Sequence, residues 1–311
     1  MNYFLGIDGG GSKTCLLCTD TAGDAFGRRV GGPSNLASYS IDIVTESLKS
    51  LIVGFIEENK MKLNDCRGIC LGSAGIDEES TKKIYLDIFV EIGFNCQIIM
   101  VNDSELVLES NIAESGIALI SGTGSIAIGK NRQGDIRRVG GWGAILGDEG
   151  SGYWIAVEGI KSAIESYEKR GPETKIMELI LNETGNEEMH DLISYVYEEG
   201  NPSKKKIAAL SKVVDLAFDS DDLVAKEIYE RAAWKLFELI ASLNRILELG
   251  DSNFEVVVSG GILMNNQHIY TLLGNTLQEH YPTVRLSRVT SEPVWGAIRK
   301  LERQVIRERL L

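Results

Sequence analysis

Long apolar runs are missing from this 311-residue sequence, and their absence limits where the protein can reside. No stretch approaches the roughly 18 apolar residues that a membrane-spanning helix requires. Asp8 also interrupts the apolar start MNYFLGID, where a secretory signal peptide needs an unbroken hydrophobic segment. We therefore expect a cytoplasmic protein without a membrane partner.

Basic residues are scarce relative to acidic ones. The chain has 32 Lys and Arg against 45 Asp and Glu, which gives a formal net charge of −13 at pH 7. Because an acidic surface repels phosphate backbones, we expect no nucleic-acid partner. An anionic ligand would have to be held by backbone N–H groups, by local dipoles or by a bridging cation.

Cysteine is also rare and is confined to the first third of the chain. The five cysteines are Cys15, Cys18, Cys66, Cys70 and Cys96. An odd number without a signal peptide argues against a disulfide framework. Two of the pairs have a spacing similar to that of zinc ligands, but both lie in apolar, strand-like runs, where side chains alternate between faces. Buried free thiols are the favoured interpretation, and a structural zinc is the alternative.

Glycine, in contrast, is abundant, with 33 residues against only 5 prolines. The hydrophobic fraction of 43% and the charged fraction of 25% are ordinary for a globular protein and exclude a disordered chain. The glycines follow no fixed period, which excludes a collagen-like chain. We therefore expect some of them at sites where the backbone conformation or a close approach requires glycine.

The order of strands and turns indicates an internal duplication. Three strand-like runs, joined by a Gly/Ser/Thr turn and a Gly-Asp turn, open the chain, and the same series restarts at Gly116. We expect an N-terminal domain over residues 1–115, completed by a C-terminal helix over 294–311. The C-terminal domain would cover residues 116–293, with about five helices between Gly150 and Gly250 as an insertion.

The turn between the first two strands reads Asp8-Gly9-Gly10-Gly11-Ser12-Lys13-Thr14, and we call it the first glycine loop. Successive backbone N–H groups in such a turn form a concavity that binds anions. Asp8 adds a carboxylate suited to holding a hydrated Mg²⁺. The loop differs from a Walker A motif, because Ser12 separates Gly11 from the lysine and a strand follows. A plain hairpin turn is the alternative interpretation.

The second glycine loop, Ser121-Gly122-Thr123-Gly124-Ser125, takes the same place in the second half. Its spacing fits the loose dinucleotide fingerprint, but that motif opens a helix, whereas residues 126–129 alternate as a strand. Two such loops facing each other would grip a polyphosphate from two sides. A third segment, Ser259-Gly260-Gly261, ends an apolar strand and precedes a helix that we expect from about Asn265. This segment would let a flat ring lie against the backbone. A tight strand–helix turn is its alternative.

These three segments together resemble the phosphate-1, phosphate-2 and adenosine motifs of the actin/hexokinase/heat-shock-chaperone superfamily of ATPases. The string GGWGAILGDEGSGYW over residues 140–154, here the signature segment, is similar to that of the N-acetylglucosamine kinases within the BadF/BadG/BcrA/BcrD-type ATPase family. The matching motifs run from Asp8 to the helix that Pro293 opens. The resemblance implies an α/β fold of duplicated ribonuclease H-like (actin-like ATPase) domains with a cleft between them.

The resemblance also assigns roles to individual residues. Asp103, where a strand ends and a helix begins, would be the catalytic base that accepts the proton of the attacking sugar hydroxyl, and a helix cap is the alternative. Residues that would contact ATP are Asp8, which would hold Mg²⁺ through water, and Gly10, Gly11, Ser12, Lys13, Thr123, Gly124, Gly260, Gly261 and Asn265. Residues that would contact the sugar are Asn35, Ser73, Gly75, Asp103, Ser125, Gly141, Trp142, Gly143 and Asp148.

The activity implied by this resemblance is transfer of the ATP γ-phosphate to the 6-hydroxyl of N-acetylglucosamine, with Mg²⁺, by a homodimer. N-acetylmuramic acid, glucosamine and glucose stay open as substrates. The alternative is an activator or regulatory ATPase of the dehydratase-activator type, without a sugar substrate. Reductase-type activators carry cluster-binding cysteines in their second half, and this chain has no cysteine after Cys96. The run Lys204-Lys205-Lys206 is interpreted as a solvated helix start rather than a binding patch.

Overall fold

The computed structural model describes residues 1–197, 203–250 and 254–310. The chain divides into two compact units. The N-terminal unit contains residues 1–113 and the chain from Val289 onward, and the C-terminal unit contains Glu114–Arg288. Leu311, the last residue of the predicted C-terminal helix, lies outside the described residues.

A mixed five-stranded sheet forms the centre of the N-terminal unit. Its strands are β1 (Tyr3–Gly9), β2 (Thr14–Asp20), β3 (Ala25–Gly31), β4 (Cys66–Ser73) and β5 (Gln97–Val101). Their order is β3-β2-β1-β4-β5, with the first three antiparallel and β1, β4 and β5 parallel. The strands β1, β2 and β4 are almost continuously apolar and buried, as is typical of strands covered on both faces.

Helices cover both faces of this sheet, where their apolar side chains form two separate buried clusters with the strands. They are α1 (Ile41–Glu58), α2 (Glu79–Ile92), α3 (Asp103–Asn111) and the C-terminal helix (Pro293–Leu310). In α1, Val44, Leu48, Leu51 and Phe55 recur at helical spacing and are buried. The C-terminal helix begins at Pro293, as predicted, and proline suits the first helical position because that residue needs no N–H donor.

The C-terminal unit repeats the same sheet. Its strands are β6 (Gly116–Ser121), β7 (Ser125–Lys130), β8 (Ile136–Gly140), β9 (Glu255–Ser259) and β10 (Arg285–Arg288). The order is β10-β9-β6-β7-β8, again with an antiparallel meander of three strands beside a parallel set. The helices of this unit are α4 (Gly152–Tyr167), α5 (Ile176–Thr184), α6 (Asp191–Val196), α7 (Lys204–Ala209), α8 (Ser211–Asp219), α9 (Leu223–Leu247), α10 (Gly261–Asn265) and α11 (Gln267–His280). The C-terminal helix of the N-terminal unit is called α12.

The predicted α/β fold class with duplicated sheets is therefore confirmed, while two helix predictions need correction. Between Gly150 and Gly250, the described residues contain six helices rather than about five. Leu210 alone separates α7 from α8, so the apolar pattern runs through the break. The helix expected from about Asn265 is preceded by α10, which starts directly after Gly260 and ends at Asn265.

The cysteines are free thiols in this structure. Cys15, Cys18, Cys66 and Cys70 are buried, and Cys96 is half-buried. Across the ranges that the structure describes, no three His, Cys, Asp or Glu side chains converge on a common metal position. None of the helices in these ranges is both long and apolar enough to cross a lipid bilayer.

Gly296→Ala in α12 is expected to destabilise the protein, although alanine is the better helix former by about 1 kcal/mol. The added methyl group would overlap the backbone carbonyl of Leu106 in α3, so the two helices would have to move apart. Overpacking of this kind costs roughly 1–3 kcal/mol. Thermal unfolding should therefore give a lower melting temperature than that of the wild type.

Gly54→Ala in α1 is the matched control. Its methyl group would approach only the end of the flexible Arg29 side chain, at 2.9 Å from a guanidinium nitrogen. This variant should melt at the wild-type temperature or above it, because only the helix-propensity gain remains. Equal melting temperatures for the two variants would contradict the close approach of α12 and α3.

Candidate functional site

The carboxyl edge of the parallel strands in the N-terminal unit gathers several of the predicted site residues. Asp8 in β1 is level with Gly72 in β4, and Gly72 is level with Val101 in β5. Ser73 and Asp103 follow these positions within two residues along their own segments. Ligands of open α/β sheets bind outside this edge, so the strand register places these side chains where such a ligand would lie.

The first glycine loop is a tight turn between β1 and β2. The Gly10 N–H donates to the carbonyl of Lys13 (3.1 Å), and the Gly10 carbonyl accepts from the Ser34 N–H (3.2 Å). A Cβ atom at position 10 would lie 2.8 Å from the Lys13 carbonyl oxygen, so this turn requires glycine. Gly11 is half-buried, whereas the side chains of Ser12 and Lys13 are exposed. The loop therefore offers polar groups to a ligand at the end of β1.

Tyr85 in α2 connects two of the predicted sugar-binding segments. Its hydroxyl donates to the Ser34 carbonyl (2.7 Å), accepts from the Leu36 N–H (3.3 Å) and lies 3.1 Å from the Ser73 hydroxyl. Asn35 lies between the two bonded loop residues and is buried, and its side-chain oxygen accepts from the Ala37 N–H (2.7 Å). The fold thus fixes Asn35 and Ser73 around one buried tyrosine. Gly75, two residues beyond Ser73, is exposed and has a φ of +74°.

Asn102, rather than Asp103, caps α3. The Asn102 side-chain oxygen accepts hydrogen bonds from the Ser104 N–H (3.2 Å) and hydroxyl (2.8 Å). Asp103 is the first residue of the helix, and its Oδ1 also accepts from the Ser104 N–H (2.9 Å). Asn102 thus fills the capping position, and Asp103 shares the Ser104 N–H with it from the first turn of the helix.

The carboxyl groups of Asp8 and Asp103 both have pKa values above the ordinary value of an aspartate. Burial, and then the negative charge of Asp103, raise the pKa of Asp8 to about 6, against an opposing effect of Lys13. Burial also raises the pKa of Asp103; the Ser104 N–H bond opposes this rise, and the charge of Asp77 adds to it. Carboxylates of perturbed acidity at a ligand-binding edge are typical of catalytic sites.

A hydrated magnesium ion fits this set of donors. Asp8 is half-buried and repelled by neighbouring carboxylates, and a cation would relieve that repulsion. Mg²⁺ commonly keeps several waters and binds one or two carboxylates together with substrate phosphates. Such a site needs only one protein carboxylate, and Asp8 supplies one at the end of β1.

The second glycine loop is held by the signature segment. The Gly122 carbonyl accepts from the Gly152 N–H (2.8 Å), and the Ser121 hydroxyl donates to the Gly150 carbonyl (2.9 Å). The Ser125 hydroxyl donates to the carbonyl of Glu149 (2.8 Å). These three bonds hold the base of the loop in place, and Thr123 at the tip of the loop is exposed. Gly124 and Ser125 then continue into β7.

Asp148 is a buried carboxylate beneath the second glycine loop. Its Oδ1 accepts from the Ser125 N–H (3.1 Å), and its Oδ2 accepts from the Lys204 ammonium (2.6 Å). The Asp148 side chain is only 4% exposed, and its backbone adopts a φ of +59°. Gly124 must be glycine here, because a Cβ atom would lie 2.8 Å from the Asp148 carboxylate.

The lysine run does begin a helix, as predicted, because α7 starts at Lys204, but its side chains also make contacts that the prediction of a solvated helix start did not include. Lys204 neutralises the buried Asp148, and Lys206 stacks over the Tyr195 ring, with its ammonium 4.1 Å from the ring centre. Lys205 lines a cavity described below. The contacts come from segments distant in sequence, so the lysine run by itself carries no sign of them.

The other predicted sugar-binding residues of the signature segment lie on an exposed loop. Gly141 donates its N–H to the Ser125 carbonyl (3.0 Å), and Gly141 and Gly143 have φ values of +72° and +84°. The Trp142 side chain is 69% exposed, and Ile145 is 94% exposed. The structure thus attaches Gly141 to the second glycine loop but gives Trp142 no buried position in the C-terminal unit.

A cavity of about 730 Å³ joins the second glycine loop to the adenosine-like segment. Gly122 and Thr123 line one part of it, and Gly261 and Asn265 line another. Gly260, with a φ of +87°, brings β9 so close to the loop that a Cβ atom would lie 2.9 Å from the Gly122 nitrogen. The volume is within the range of small-molecule sites.

Sequence reasoning missed the residues that the helical insertion adds to this cavity. Lys205 in α7 and Lys212 and Asp215 in α8 are among its lining residues, together with Tyr229 from α9. The sequence offers one signal, which is the spacing of these residues. Positions 205, 208, 212 and 215 follow one another at intervals of three or four residues, so they share one face if α7 and α8 are treated as a continuous helix.

The comparisons with known proteins agree with this architecture. The family model described as the BadF/BadG/BcrA/BcrD ATPase family matches residues 5–298. The chain is 37% identical over 299 residues to an N-acetylmuramic acid/N-acetylglucosamine kinase from Clostridium acetobutylicum, covering 96% of this chain and 97% of that protein. It is 31% identical over 305 residues to an N-acetyl-D-glucosamine kinase from Dictyostelium discoideum, covering 94% and 96%.

A solved structure gives the same fold. A protein from Chromobacterium violaceum, named as a candidate N-acetylglucosamine kinase, superimposes with a TM-score of 0.74 at 21% identity. The superposition covers 96% of this chain and 98% of that one. At this identity the likeness establishes the α/β fold with two units. Membership of the family rests on the family model and on the similarity in sequence to the two kinases.

Proposed function

The chain belongs to the BadF/BadG/BcrA/BcrD ATPase family, and we propose that it is an ATP-dependent amino-sugar kinase. The acceptor would be the 6-hydroxyl of N-acetylglucosamine, N-acetylmuramic acid or glucosamine. Two relatives that match nearly the whole chain are named as kinases of N-acetylated amino sugars. Family membership supports the use of ATP.

The observation that carries this proposal is the pair of carboxyl groups at the carboxyl edge of β1 and β5. Asp103 is not needed as a helix cap, and burial raises its pKa towards the range in which a carboxylate is a useful base. Asp103 would accept the proton of the 6-hydroxyl while that oxygen forms a bond to the γ-phosphorus. The bond from the γ-phosphorus to the β,γ-bridging oxygen breaks, and ADP leaves.

The remaining predicted residues would position the two substrates. Asn35 and Ser73, fixed around Tyr85, would hydrogen-bond sugar hydroxyls together with the backbone near Gly75. The sequence resemblance also implies sugar contacts for Ser125, Gly141, Trp142, Gly143 and Asp148. The list of proposed nucleotide contacts is Gly10, Gly11, Ser12, Lys13, Thr123, Gly124, Gly260, Gly261 and Asn265.

Asp8 would hold Mg²⁺ through water, and the ion, when bound, would supply positive charge to the phosphate oxygens. We further propose a cytoplasmic homodimer, as the sequence resemblance implies. The activator alternative is not favoured, because the chain has no cysteine after Cys96 to hold an iron–sulfur cluster and its named relatives are sugar kinases.

The protein should release ADP from Mg-ATP only when an amino sugar is present. The panel for this assay is N-acetylglucosamine, N-acetylmuramic acid, glucosamine and glucose, with ADP measured by a coupled assay. The analogue 6-deoxy-N-acetylglucosamine is the matched control, because it lacks the accepting hydroxyl and should give no stimulation. If no sugar stimulates ADP release above the rate without sugar, the kinase proposal is wrong.

Asp103→Asn should lower kcat by roughly 100- to 10,000-fold, because the base that accepts the hydroxyl proton is lost. Sugar affinity, measured by calorimetry, should change little, since asparagine keeps the size of the side chain. Asp87→Asn is the control, because Asp87 is an exposed carboxylate on α2 in the same unit and its loss should leave kcat unchanged. Near-normal turnover of the Asp103 variant would place the base elsewhere.

The acid limb of the pH dependence of kcat/KM should shift when Asp77 is replaced by asparagine. Asp103 must be deprotonated to act, so kcat/KM for the sugar should fall as the pH drops through its raised pKa. Asp77→Asn removes one negative charge that raises this pKa, and the limb should therefore shift to lower pH. An unchanged limb, or a shift to higher pH, would contradict the assignment of Asp103 as the titrating base.

A further inference from the structure

Asp215 in α8 is a half-buried carboxylate in the wall of the cavity beside the second glycine loop. Its Oδ1 accepts hydrogen bonds from the Asn266 side-chain amide (2.7 Å) and from the Tyr229 hydroxyl (3.2 Å). These three side chains come from α8, from α9 and from the residue between α10 and α11. One face of the carboxylate is therefore fixed by two donors.

The orientation of both donors is determined by their surroundings. The Asn266 side-chain oxygen accepts from the Ile269 N–H (3.0 Å) at the start of α11, so the amide nitrogen must face Asp215 and Tyr229. Burial, and then the negative charge of Asp215, raise the pKa of Tyr229, so its hydroxyl keeps its proton and donates it. Tyr229 is only 1% exposed and stacks on Phe218, with ring centres 5.2 Å apart.

Both hydrogen bonds reach the same carboxylate oxygen. Among the described residues, Oδ2 of Asp215 has no hydrogen-bond partner, and no lysine or arginine lies within 4.0 Å to form an ion pair. Lys205 and Lys212 line the same cavity without pairing with Asp215. The second oxygen of this carboxylate can accept further hydrogen bonds, and a ligand in the cavity can donate one.

The negative charge of Asp215 determines which part of a nucleotide it would suit. A carboxylate repels phosphate oxygens, so it is compatible with the nucleoside and not with the triphosphate. A nucleoside carries hydrogen-bond donors at the ribose hydroxyls and at the exocyclic amino group. We propose that Asp215, held by Tyr229 and Asn266, selects the nucleoside of the phosphoryl donor by accepting a hydrogen bond from one of these groups.

This inference rests on the proposed nucleotide use, and its test compares two acidic residues one turn apart on α8. Asp215→Asn is the test variant, and Asp219→Asn is the control, because the exposed Asp219 pairs with His268 and does not line the cavity. We expect Asp215→Asn to raise the KM for ATP and the Kd for ADP by roughly 10- to 100-fold. The KM for the sugar should stay within about twofold of the wild type, and Asp219→Asn should change none of these values.

Analogues of ATP identify the donor group. The wild type should lose affinity for 2′-deoxy-ATP and 3′-deoxy-ATP if the ribose is recognised, or for ITP if the amino group is recognised. Asp215→Asn should discriminate against that same analogue much less, since the partner of the missing group has changed. Equal ATP KM in the two aspartate variants, or unchanged analogue selectivity in Asp215→Asn, would overturn the inference.

The two proposals fail in different ways. ADP binding is measured without any sugar, so a protein that binds ADP through Asp215 but phosphorylates no sugar would contradict the kinase proposal alone. A protein that phosphorylates a sugar with the same ATP KM in both aspartate variants would contradict the role of Asp215 alone. Tyr229→Phe provides a further variant that keeps the carboxylate, and it should raise the ATP KM less than Asp215→Asn does.

Discussion

The architecture of the C-terminal unit depends on a place where three backbone segments meet without side chains between them. Gly122 in the second glycine loop bonds to Gly152, and Gly260 at the end of β9 lies against the same loop. Any Cβ atom at position 260 would overlap the carbonyl of Ser121. Because the three segments touch through the backbone, the exposed tip of the loop, the start of α4 and the cavity beside α10 are fixed as one rigid arrangement.

The backbone arrangement lies in a chain whose net charge is −13. The chain has no excess of basic residues, and backbone N–H groups of glycine turns can bind anions without adding charge. The lysines at and near the cavity differ in their contacts. Lys204 neutralises Asp148, while Lys205 and Lys212 line the cavity without an ion-pair partner among the described residues. Two carboxylates, Glu183 and Asp215, line the same cavity.

Much of the fold was accessible from the sequence, because its signals are local. Alternating or continuous apolar runs between glycine turns predict the strands, and the repeat of this order predicts the duplication that both sheets confirm. The family motifs also directed attention to Asp8 and Asp103, whose catalytic roles stay predictions. The strand register adds that both lie at one edge of the sheet.

The contacts that hold the site were not accessible from the sequence, because they join segments far apart in the chain. Tyr85 reaches Ser34 across 51 positions, and Lys204 reaches Asp148 across 56. Nothing local distinguishes Tyr85 from an ordinary apolar residue of α2, or Lys204 from a solvated lysine. Asp215 was overlooked for the same reason, since its partners Tyr229 and Asn266 become neighbours only after α8, α9 and α11 have packed.

The C-terminal helix has a consequence for the order in which the protein folds. Val294, Ala297, Ile298 and Leu301 of α12 form a buried cluster with side chains from β1 and β2, including Phe4 and Leu17. The ribosome makes β1 before the C-terminal unit and α12 after it, so this apolar face of the nascent sheet stays uncovered while that unit is synthesised. That unit is contiguous from Glu114 to Arg288 and can close its own core earlier. The N-terminal unit is therefore completed only after α12 has been made, and until then a chaperone or a neighbouring nascent chain has an exposed apolar surface to bind.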